Sequence, residues 1–431
     1  MSATTTNSPP AKGEYPEGGR GFLPTLRFPE FRDAGEWEKR KAGSLFAHRT
    51  TKGGQGLPIY SVTMNDGMVR RDSLDRKVDD IEDAAGNKKV CRNDIAYNMM
   101  RMWQGAMGVA PEDCLVSPAY VVLAPNKEAA PHFFQYLFKL PAMLQLLTSH
   151  SRGLTKDRLR LYFDDFAKME FRCPKVKEQQ RIADFLAAID EYIATQTERL
   201  DILKTHKKGL MQQLFPCEGE SQPRVRFPEF LGAREWGEQT LEQLVQIQSG
   251  ATPSKENPEF WNGTVPWVSA KDMKQLYLDD AQDHISAAAI ADGVKVAAPG
   301  TLLILTRGMT LLKDVPICLL RRKMSFNQDV KSLRPKEGVN ANFLAWSLLA
   351  QKPRLLAMVD IAGHGTGKLG TDDLKAFVLN LPCLAEQQRI ADCLTSLDEL
   401  ITAATQELDT LKTHKKGLMQ QLFPAMDEMR A

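Results

Sequence analysis

The stretch LKTHKKGLMQQLFP occupies residues 203–216 and returns unchanged at residues 411–424. Each copy closes a longer repeat that opens with EQQRIAD, so that 178–216 aligns with 386–424 at a shift of 208 residues (178 to 386). An internal repeat of this kind indicates an architecture built twice from one unit. The chain is therefore predicted to consist of two related halves.

A shorter repeat marks the start of each half. The segment RFPEF stands at residues 27–31, followed by Trp37, and again at residues 226–230, followed by Trp236. Between these markers, residues 39–173 and 238–383 show no comparable identity. Two parts of the sequence are constant and two have diverged, which predicts two different domains on one repeated scaffold.

The longer repeat is predicted to form a long helix. Its apolar residues alternate at spacings of four and three, which is typical of a coiled-coil seam. At about 1.5 Å per residue, each helix should be roughly 55 Å long. A proline precedes each helix and another follows it, as start and stop signals. The seam comprises Ile182, Leu186, Ile189, Ile193, Leu200, Leu203, Leu210 and Leu214, with Ile390, Leu394, Leu397, Ile401, Ala404, Leu408, Leu411, Leu418 and Leu422 in the second copy.

Gly209 and Gly417 interrupt the end of each helix, where a glycine costs about 1 kcal/mol relative to alanine. They predict either fraying of the helix or the close approach of another backbone.

The apolar seam alone is explained by a structural coiled coil. Residues off the seam are also identical in the two copies, which favours a second hypothesis, namely that each helix end binds one of two identical partner subunits. These residues are Lys204, His206, Lys207, Lys208, Gln212 and Gln213, and Lys412, His414, Lys415, Lys416, Gln420 and Gln421.

Chain connectivity predicts how the helices are arranged. Only a short linker, 217–225, joins the first helix to the second divergent domain, and that domain leads directly into the second helix. The helices should therefore run antiparallel, with one domain at each end, a pseudo-two-fold axis, and residue 26 close to residue 424. The predicted divisions are a flexible tail (1–25), domain 1 (26–173), helix 1 (174–216), the linker, domain 2 (226–382), helix 2 (383–424) and a tail (425–431).

An α+β fold is predicted, with two mixed α/β domains. Strands are expected at 57–62, 94–99 and 119–123 with a helix at 132–147, and at 264–269, 301–306, 315–320 and 330–333 with a helix at 341–351. Basic and amide residues cluster in the turns. Such side chains contact phosphates and base edges, although for each one alone a solvated surface role is favoured over a DNA contact. The candidates are Lys52, Arg70, Arg71, Lys88, Lys89, Arg92, Asn98 and Arg101, and Lys255, Lys271, Lys274, Arg307, Lys313, Asn327, Gln328 and Lys368.

Composition excludes several classes of protein. With 43% hydrophobic and 26% charged residues and a net charge of only +2, the chain is typical of a globular protein without a global basic field. No run is apolar enough to span a membrane and no signal peptide is evident, which predicts a cytoplasmic location. The seven cysteines lack C-x-x-C pairing, so neither a disulfide framework nor a zinc site is expected.

Several segments resemble catalytic motifs, but each departs from the motif at a residue that the chemistry requires. The run 363–368 (GHGTGK) is one residue short of a phosphate loop and lacks the magnesium-binding Ser/Thr, so it is interpreted as a flexible loop. The run 257–260 (NPEF) departs from the N-P-P-[YF] tetrapeptide of amino-methyltransferases, and the acidic pairs 164–165 and 372–373 lack the lysine spacing of a nuclease. The chain is predicted to be non-catalytic, without a metal or cofactor of its own.

Taken together, the RFPEF…W segments, the P-x-x-x-E-Q-Q-R-I-A helix starts and the L-x-x-x-K-x-G-L-x-Q-x-L-F helix ends resemble those of the specificity subunits of type I restriction-modification systems. The runs 300–303 (GTLL) and 327–329 (NQD) fit the same family. The resemblance covers residues 26–424. It implies two target-recognition domains that read a bipartite DNA sequence.

The resemblance also implies partners. These are double-stranded DNA, two methyltransferase (modification) subunits that use S-adenosylmethionine to methylate adenine, and restriction subunits that use ATP and magnesium to translocate and cut. Two other functions stay open. One is a coiled-coil adaptor or scaffold, and the other is a specificity subunit of a methylation-only or related defence system.

Overall fold

The structure is a computed structural model that describes residues 23–54, 56–73, 86–155, 158–217, 219–362 and 365–424. The chain divides into two compact units. Unit 1 combines residues 1–195 with 409–431, and unit 2 comprises residues 196–408. Each unit thus contains one divergent domain and a part of each repeated helix. Most of the predicted N-terminal tail and all of the C-terminal tail lie outside the described residues, and the predicted domain limits stay a prediction.

Unit 1 is built on short strands and short helices. Its strands are β1 Glu38–Lys41, β2 Phe46–His48, β3 Tyr60–Val62, β4 Met68–Arg70, β5 Lys88–Val90, β6 Ile95–Asn98, β7 Met107–Val109, β8 Cys114–Val116, β9 Tyr120–Pro125 and β10 Glu170–Cys173. Its short helices are α1 Ala42–Leu45, α2 Pro131–Leu137, α3 Pro141–Ser149 and α4 Phe163–Ala167. The main sheet is antiparallel, in the order β2-β9-β6-β7, and β3-β4 and β5-β8 form two smaller pairs.

Unit 2 has larger sheets. Its strands are β11 Gly237–Thr240, β12 Val245–Ser249, β13 Val265–Val268, β14 Tyr277–Leu278, β15 Asp283–Ile285, β16 Val296–Ala297, β17 Leu302–Leu305, β18 Arg307–Gly308, β19 Ile317–Leu320, β20 Met324–Phe326, β21 Val330–Pro335, β22 Val359–Ala362, β23 Thr366–Leu369 and β24 Val378–Leu381. The orders are β12-β21-β17-β19-β14, β15-β13-β20-β16 and β18-β23-β22. Its short helices are α6 Leu241–Leu244, α7 Ala287–Ala291, α8 Ala341–Ala350, α9 Lys352–Ala357 and α10 Thr371–Ala376.

Each divergent segment begins and ends on one strand pair. In unit 1, β1 pairs antiparallel with β10, from Glu38 opposite Cys173. In unit 2, β11 pairs antiparallel with β24, from Gly237 opposite Leu381. The divergent chain therefore leaves and returns at the same place, directly before the long helix. We call the RFPEF segment, this strand pair and the first turns of the long helix the frame of each unit.

The long helices are α5 Val176–Leu214 and α11 Leu384–Leu422. Both begin just after the predicted proline start signals and end just before the predicted stops, which confirms the helix prediction. Leu186 and Leu394 on the seam are fully buried, because apolar side chains of the adjoining domain and of the other helix surround them. The predicted α+β fold with two related halves is also confirmed.

Of the two alternatives predicted for the helix glycines, fraying is wrong, and the approach of another backbone is not met by the described residues of this chain. Helical structure continues through Gly209 and Gly417, so the helices do not fray there. No atom beyond the neighbouring helix backbone lies within 4 Å of a Cβ placed at either position, so no backbone approaches within the described residues. Each glycine therefore leaves open space on a helix surface at the expense of helix stability.

Within each unit the two helix segments run antiparallel. In unit 1, Asp190 forms an ion pair with Lys415, and Ile182 shares a core with Leu422. In unit 2, the ion pair of Lys207 with Asp398 is formed by the equivalent positions. The Leu26 N–H donates to the Gln421 carbonyl at 2.9 Å, which confirms the predicted proximity of residue 26 to the end of α11.

Most predicted elements of the domains are present. Strands β3, β6 and β9 in unit 1, and β13, β17, β19 and β21 with helix α8 in unit 2, lie where the sequence predicts them. The continuous helix predicted at 132–147 is wrong, because the chain forms α2 and α3 with a break before Pro141. Proline disfavours helical backbone in the residue before it, and Leu140 has ψ 144°.

Candidate nucleic-acid interface

The glutamate that opens each EQQR run is buried and ion-paired to the RFPEF arginine. Arg27 donates to Glu178 from Nε at 2.7 Å and from Nη2 at 2.6 Å. Arg226 donates to Glu386 from the same atoms, at 2.9 and 2.6 Å. Because Glu178 and Glu386 are only 2% and 1% exposed, each carboxylate depends on this two-point contact. The pairs hold the RFPEF segment against the start of the helix.

The first glutamine of each run connects the helix to the divergent domain. Its side-chain oxygen accepts an N–H from the domain backbone at 2.9 Å in both units, and its amide donates to the carbonyl of the proline before the helix at 2.7 and 3.0 Å. Gln179 and Gln387 are almost fully buried, so these polar groups need such partners. The domain-side donors are the amides of Ala130 and Asn340.

The arginine of each run completes the frame on its exposed side. Arg181 pairs with Glu30 at 3.2 Å, and its guanidinium lies 4.9 Å from the centre of the Phe28 ring. Arg389 pairs with Glu229 at 3.1 Å and lies 4.4 Å from the equivalent ring of the second RFPEF segment. The constant sequence at the helix start is thus explained by contacts inside the chain.

The constant phenylalanine at each helix end closes a domain core. In unit 1 the Phe423 ring lies 6.0 Å from Trp37 and 5.5 Å from Phe133. In unit 2 the Phe215 ring lies 6.5 Å from Trp236, and 5.6 Å from the ring of the residue equivalent to Phe133. Both helix ends therefore use the same aromatic contact, with one constant tryptophan and one domain phenylalanine.

Two of the residues predicted to bind partner subunits have partners within the chain. Lys207 pairs with Asp398, and its Nζ lies 4.5 Å from the centre of the Trp346 ring. Lys415 pairs with Asp190 and lies 5.4 Å from the centre of the Tyr136 ring. Burial and a hydrogen bond to Asp190 raise the pKa of the Tyr136 phenol. These lysines join the long helices to their domains, which is sufficient to explain their identity in both copies.

The other predicted partner-binding side chains are exposed. In unit 2 three of them line a groove with apolar residues of the domain, among them Leu349 and Pro353. The exposed set is Lys204, His206, Lys208, Gln212 and Gln213, and Lys412, His414, Lys416, Gln420 and Gln421. No contact inside the described chain accounts for the identity of these side chains, and partner binding stays a prediction.

The candidate DNA-binding residues of domain 1 fall into two groups. Several already have a hydrogen-bond or ion-pair partner within the chain. Lys88 donates to the Tyr120 carbonyl, and the Asn98 side chain accepts from the Met100 amide. Lys89 pairs with Asp113, and Arg70 pairs with Asp72. Burial lowers the pKa of Lys88. Arg71 is half-buried in a short 3-10 helix. Exposed side chains are presented by Lys52, Arg92 and Arg101.

Domain 2 shows the same division. Lys271 pairs with Asp283, the Asn327 side chain accepts from the Asp329 amide, and Gln328 contacts Thr252. Exposed cations are Lys255, Lys274, Arg307, Lys313 and Lys368. Nothing in the structure tests which of the candidates in either domain contact DNA, so the individual assignments stay predictions.

Arg307 and Lys368 are brought together by the three-stranded sheet of unit 2. They are directly opposite each other on β18 and β23, and Asp360 on β22 stands opposite Lys368. The interpretation of 363–368 as a flexible loop is wrong for its second half, because Thr366–Leu369 is strand β23. Gly363 and His364 lie outside the described residues. Lys368 therefore has a like charge opposite it on one neighbouring strand and an opposite charge on the other.

A basic segment of domain 1 was missed among the candidates. Arg152 pairs with Arg160 as an isolated antiparallel bridge, and Arg158 lies exposed between them. The signal was present in the sequence, since several basic residues crowd the run SRGLTKDRLR at 151–160. Only Arg152 has a carboxylate partner among the described residues, namely Asp165.

The described part of the chain has no cluster of potential metal ligands. No helix in that same part is long and apolar enough to cross a membrane. Of the acidic pairs, Asp165 forms an ion pair with Arg152, and Asp372 lies in the first turn of α10.

Comparison with known proteins gives a consistent result. A family profile described as the type I restriction modification DNA specificity domain matches residues 35–205 and again 233–413. The EcoR124I/EcoR124II specificity subunit of Escherichia coli is 30% identical over 292 residues, which cover 66% of this chain and 67% of that subunit. The HindI specificity subunit of Haemophilus influenzae is 21% identical over 405 residues, covering 78% and 86%. The S subunit from M. genitalium shares the fold, with TM-score 0.60, 15% identity and coverage of 94% and 99%.

Proposed function

Because this chain belongs to the type I restriction-modification specificity subunits and acts in DNA sequence recognition, we propose that each divergent domain binds one half of a bipartite DNA sequence. The single observation that carries this proposal is the frame. Two unlike domains are joined to the helices by the same ion pairs, glutamine contacts and aromatic contacts. A constant support for two different domain surfaces is expected of a protein in which the recognised DNA sequence changes while the assembly with partner subunits stays the same.

Specificity subunits are non-catalytic, so the chemistry of the complex belongs to other subunits. We propose that two modification subunits bind S-adenosylmethionine and methylate adenine, and that restriction subunits, where present, use ATP and magnesium. The exposed side chains that are identical on both helices support two copies of one partner, because the same surface is presented twice. A cytoplasmic location follows from this role.

Modified-base sequencing of the host genome with and without this gene tests the proposal. We expect methylated adenine to disappear from a motif of two short half-sites separated by a fixed gap. An adaptor would leave the methylation pattern unchanged while a modification partner is expressed. If the host motif is methylated but unmodified phage DNA is not cut in the same cells, the chain belongs to a methylation-only system.

The cation pair of domain 2 predicts salt-dependent DNA binding. In the complex with modification subunits, replacing Arg307 and Lys368 together by alanine should reduce the slope of log affinity against log salt by about 2, because each cation releases about one counterion from DNA. Lys352→Ala is the matched control, since Lys352 in the same unit is paired with Asp314 at 2.7 Å. Equal slopes for the double variant and the control would contradict the assignment of these two cations.

Replacing the helix glycines is expected to raise the stability of the chain and to weaken its assembly with partner subunits. Alanine at Gly209 and Gly417 should stabilise the isolated chain by about 0.5 to 1 kcal/mol per site, since nothing obstructs the added methyl groups. Assembly with the modification subunits should weaken, because the open space is proposed to accept a partner backbone. Thermal unfolding and size-exclusion chromatography measure the two effects, with Glu198→Ala on an exposed part of α5 as control. Unchanged assembly would remove the glycines from the docking surface.

A further inference from the structure

The turn that joins β20 to β21 in domain 2 is held by contacts on both sides. We call its residues, 327–329, the NQD turn. On one side the Asp329 carbonyl accepts both the N–H and the hydroxyl of Thr306, at 2.8 and 3.0 Å. On the other side a Cβ placed at Gly250 would lie 2.1 Å from the Asn327 carbonyl oxygen, so the backbone at Gly250 packs directly on the turn. The side chain at the centre of the NQD turn therefore stands on a fixed support.

That central side chain, Gln328, is exposed and has hydrogen-bond donors to spare. Its amide oxygen accepts the hydroxyl of Thr252, and the side-chain oxygen of Asn327 accepts the Asp329 N–H at 3.1 Å. Neither amide nitrogen has an acceptor among the described residues. A bidentate contact with adenine needs the amide oxygen together with the nitrogen, whereas a phosphate oxygen needs only a donor. The arrangement therefore favours a phosphate as the acceptor.

The equivalent turn of domain 1 forms without a glutamine. It joins β8 to β9 at a shift of 210 residues (117 to 327), and Ser117 repeats both contacts of Asn327. Its side-chain oxygen accepts the N–H two residues later at 3.4 Å, and its carbonyl accepts the first N–H of β9 at 3.0 Å. In domain 2 the corresponding carbonyl accepts the first N–H of β21 at 3.2 Å. Because Pro118 stands at the place of Gln328, formation of the turn does not explain the glutamine.

Exposed cations lie on the segments that adjoin the NQD turn. Thr306, which binds the Asp329 carbonyl, is followed directly by Arg307. The Leu369 N–H donates to the Thr306 carbonyl at 2.9 Å, which brings Lys368 to the same place. Both cations are exposed, and neither forms an ion pair with a carboxylate of the described residues. N–H donors beside unpaired cations are the groups with which proteins bind phosphate.

We infer that Gln328 is a positioning residue, whose amide N–H group donates to a phosphate of the half-site bound by domain 2. The contact fixes the register of the domain on the duplex and carries no sequence information. It belongs to one half-site only, because domain 1 has Pro118 at the equivalent position. This inference rests on the proposed function, since it assumes that domain 2 binds a DNA half-site.

Two opposite substitutions of Gln328 test the inference in the assembled complex with its modification subunits. Gln328→Glu should weaken DNA binding at least about tenfold, because a carboxylate replaces the donors and repels the phosphate. Gln328→Lys should bind at least as tightly as the wild type, since an ammonium group also donates to phosphate. Affinity is measured for a duplex that contains the methylated motif and for one that lacks it, and both should change by the same factor.

Gln246→Glu is the control with the same change of charge. Gln246 is exposed on β12, where it stands opposite Arg334 at the end of β21 that is remote from the NQD turn. This variant should bind both duplexes like the wild type. Gln328 is exposed and the equivalent turn tolerates proline, so neither substitution at this position perturbs a core.

Three results would overturn the inference. A purely structural role would give the opposite order, because glutamate keeps an oxygen for the Thr252 hydroxyl and lysine does not. A base contact would change the methylated motif at one position of the half-site bound by domain 2. Equal binding by the wild type and Gln328→Glu would exclude any contact of this amide with DNA.

The proposed function is judged separately, on the wild-type complex. If the wild type binds a bipartite motif while the Gln328 variants give one of these three results, only the inference fails. If the wild type binds no bipartite motif, both fail.

Discussion

Replacing Glu386 by alanine is expected to lower the free energy of unfolding of unit 2 by about 3 to 5 kcal/mol, because the change leaves a largely buried guanidinium without its partner. Arg226 is only 13% exposed in its side chain, and Glu386 is its sole carboxylate among the described residues. The same change releases the RFPEF segment from the helix start. Chemical denaturation of the intact chain, followed by tryptophan fluorescence, measures the effect.

The matched control for this variant lies in the same frame. Glu229 pairs with Arg389 on the exposed side, where each side chain is about half exposed (49% and 50%). Glu229→Ala should therefore cost less than about 1 kcal/mol. If the two variants unfold alike, the buried pair is not what holds the frame. Replacing both Arg226 and Glu386 by apolar residues of similar size should recover much of the loss, because no unpaired charge then remains.

Placing domain 1 in both positions is expected to create a new DNA specificity. The chimera replaces residues 241–377 by a second copy of residues 42–169, so that the junctions fall at the ends of the paired strands β11 and β24. Affinity for the original motif should fall by at least about a thousandfold, since one half-site is no longer read. The methylated motif should instead contain the same half-site twice.

Constant side chains of the long helices in unit 2 make this chimera feasible. Tyr136 of domain 1 hydrogen-bonds Asp190 and lies beside Lys415, and the equivalent positions in unit 2 are Asp398 and Lys207. Modified-base sequencing of cells that express the chimera reads the outcome. Inverted half-sites would agree with the antiparallel arrangement predicted from the sequence, and directly repeated half-sites would contradict it. Retention of the original motif would show that residues 241–377 do not determine the second half-site.

Local order follows from local sequence, and much of the fold was predictable for this reason. The heptad stripe and the flanking prolines depend on neighbouring residues, and α5 and α11 lie where these signals place them. Strands such as β17 and β19 were also found, because runs of buried apolar residues are visible without tertiary contacts. The break before Pro141 was missed although its cause is local, since the apolar residues on both sides continued a helical pattern.

Contacts between distant residues were not predictable in this way. Arg27 and Glu178 are far apart in sequence, and no pattern within either segment shows that they pair. The identity of Lys207 and Lys415 in the two repeats predicted an outer surface, whereas the structure gives both of them partners within the chain. Repetition shows that a residue is constrained, but it does not distinguish an internal contact from an external one.

By itself, the sequence determined the duplicated architecture, the two long helices, the constant and divergent parts, and the family to which the chain belongs, because each of these is written in repeats and periodicity along the chain. Only the tertiary structure decided that the EQQR residues hold the RFPEF segment and that Arg307 stands opposite Lys368. The physical reason is that ion pairing, strand register and burial depend on contacts between segments that are far apart in sequence, and only the tertiary fold determines those contacts.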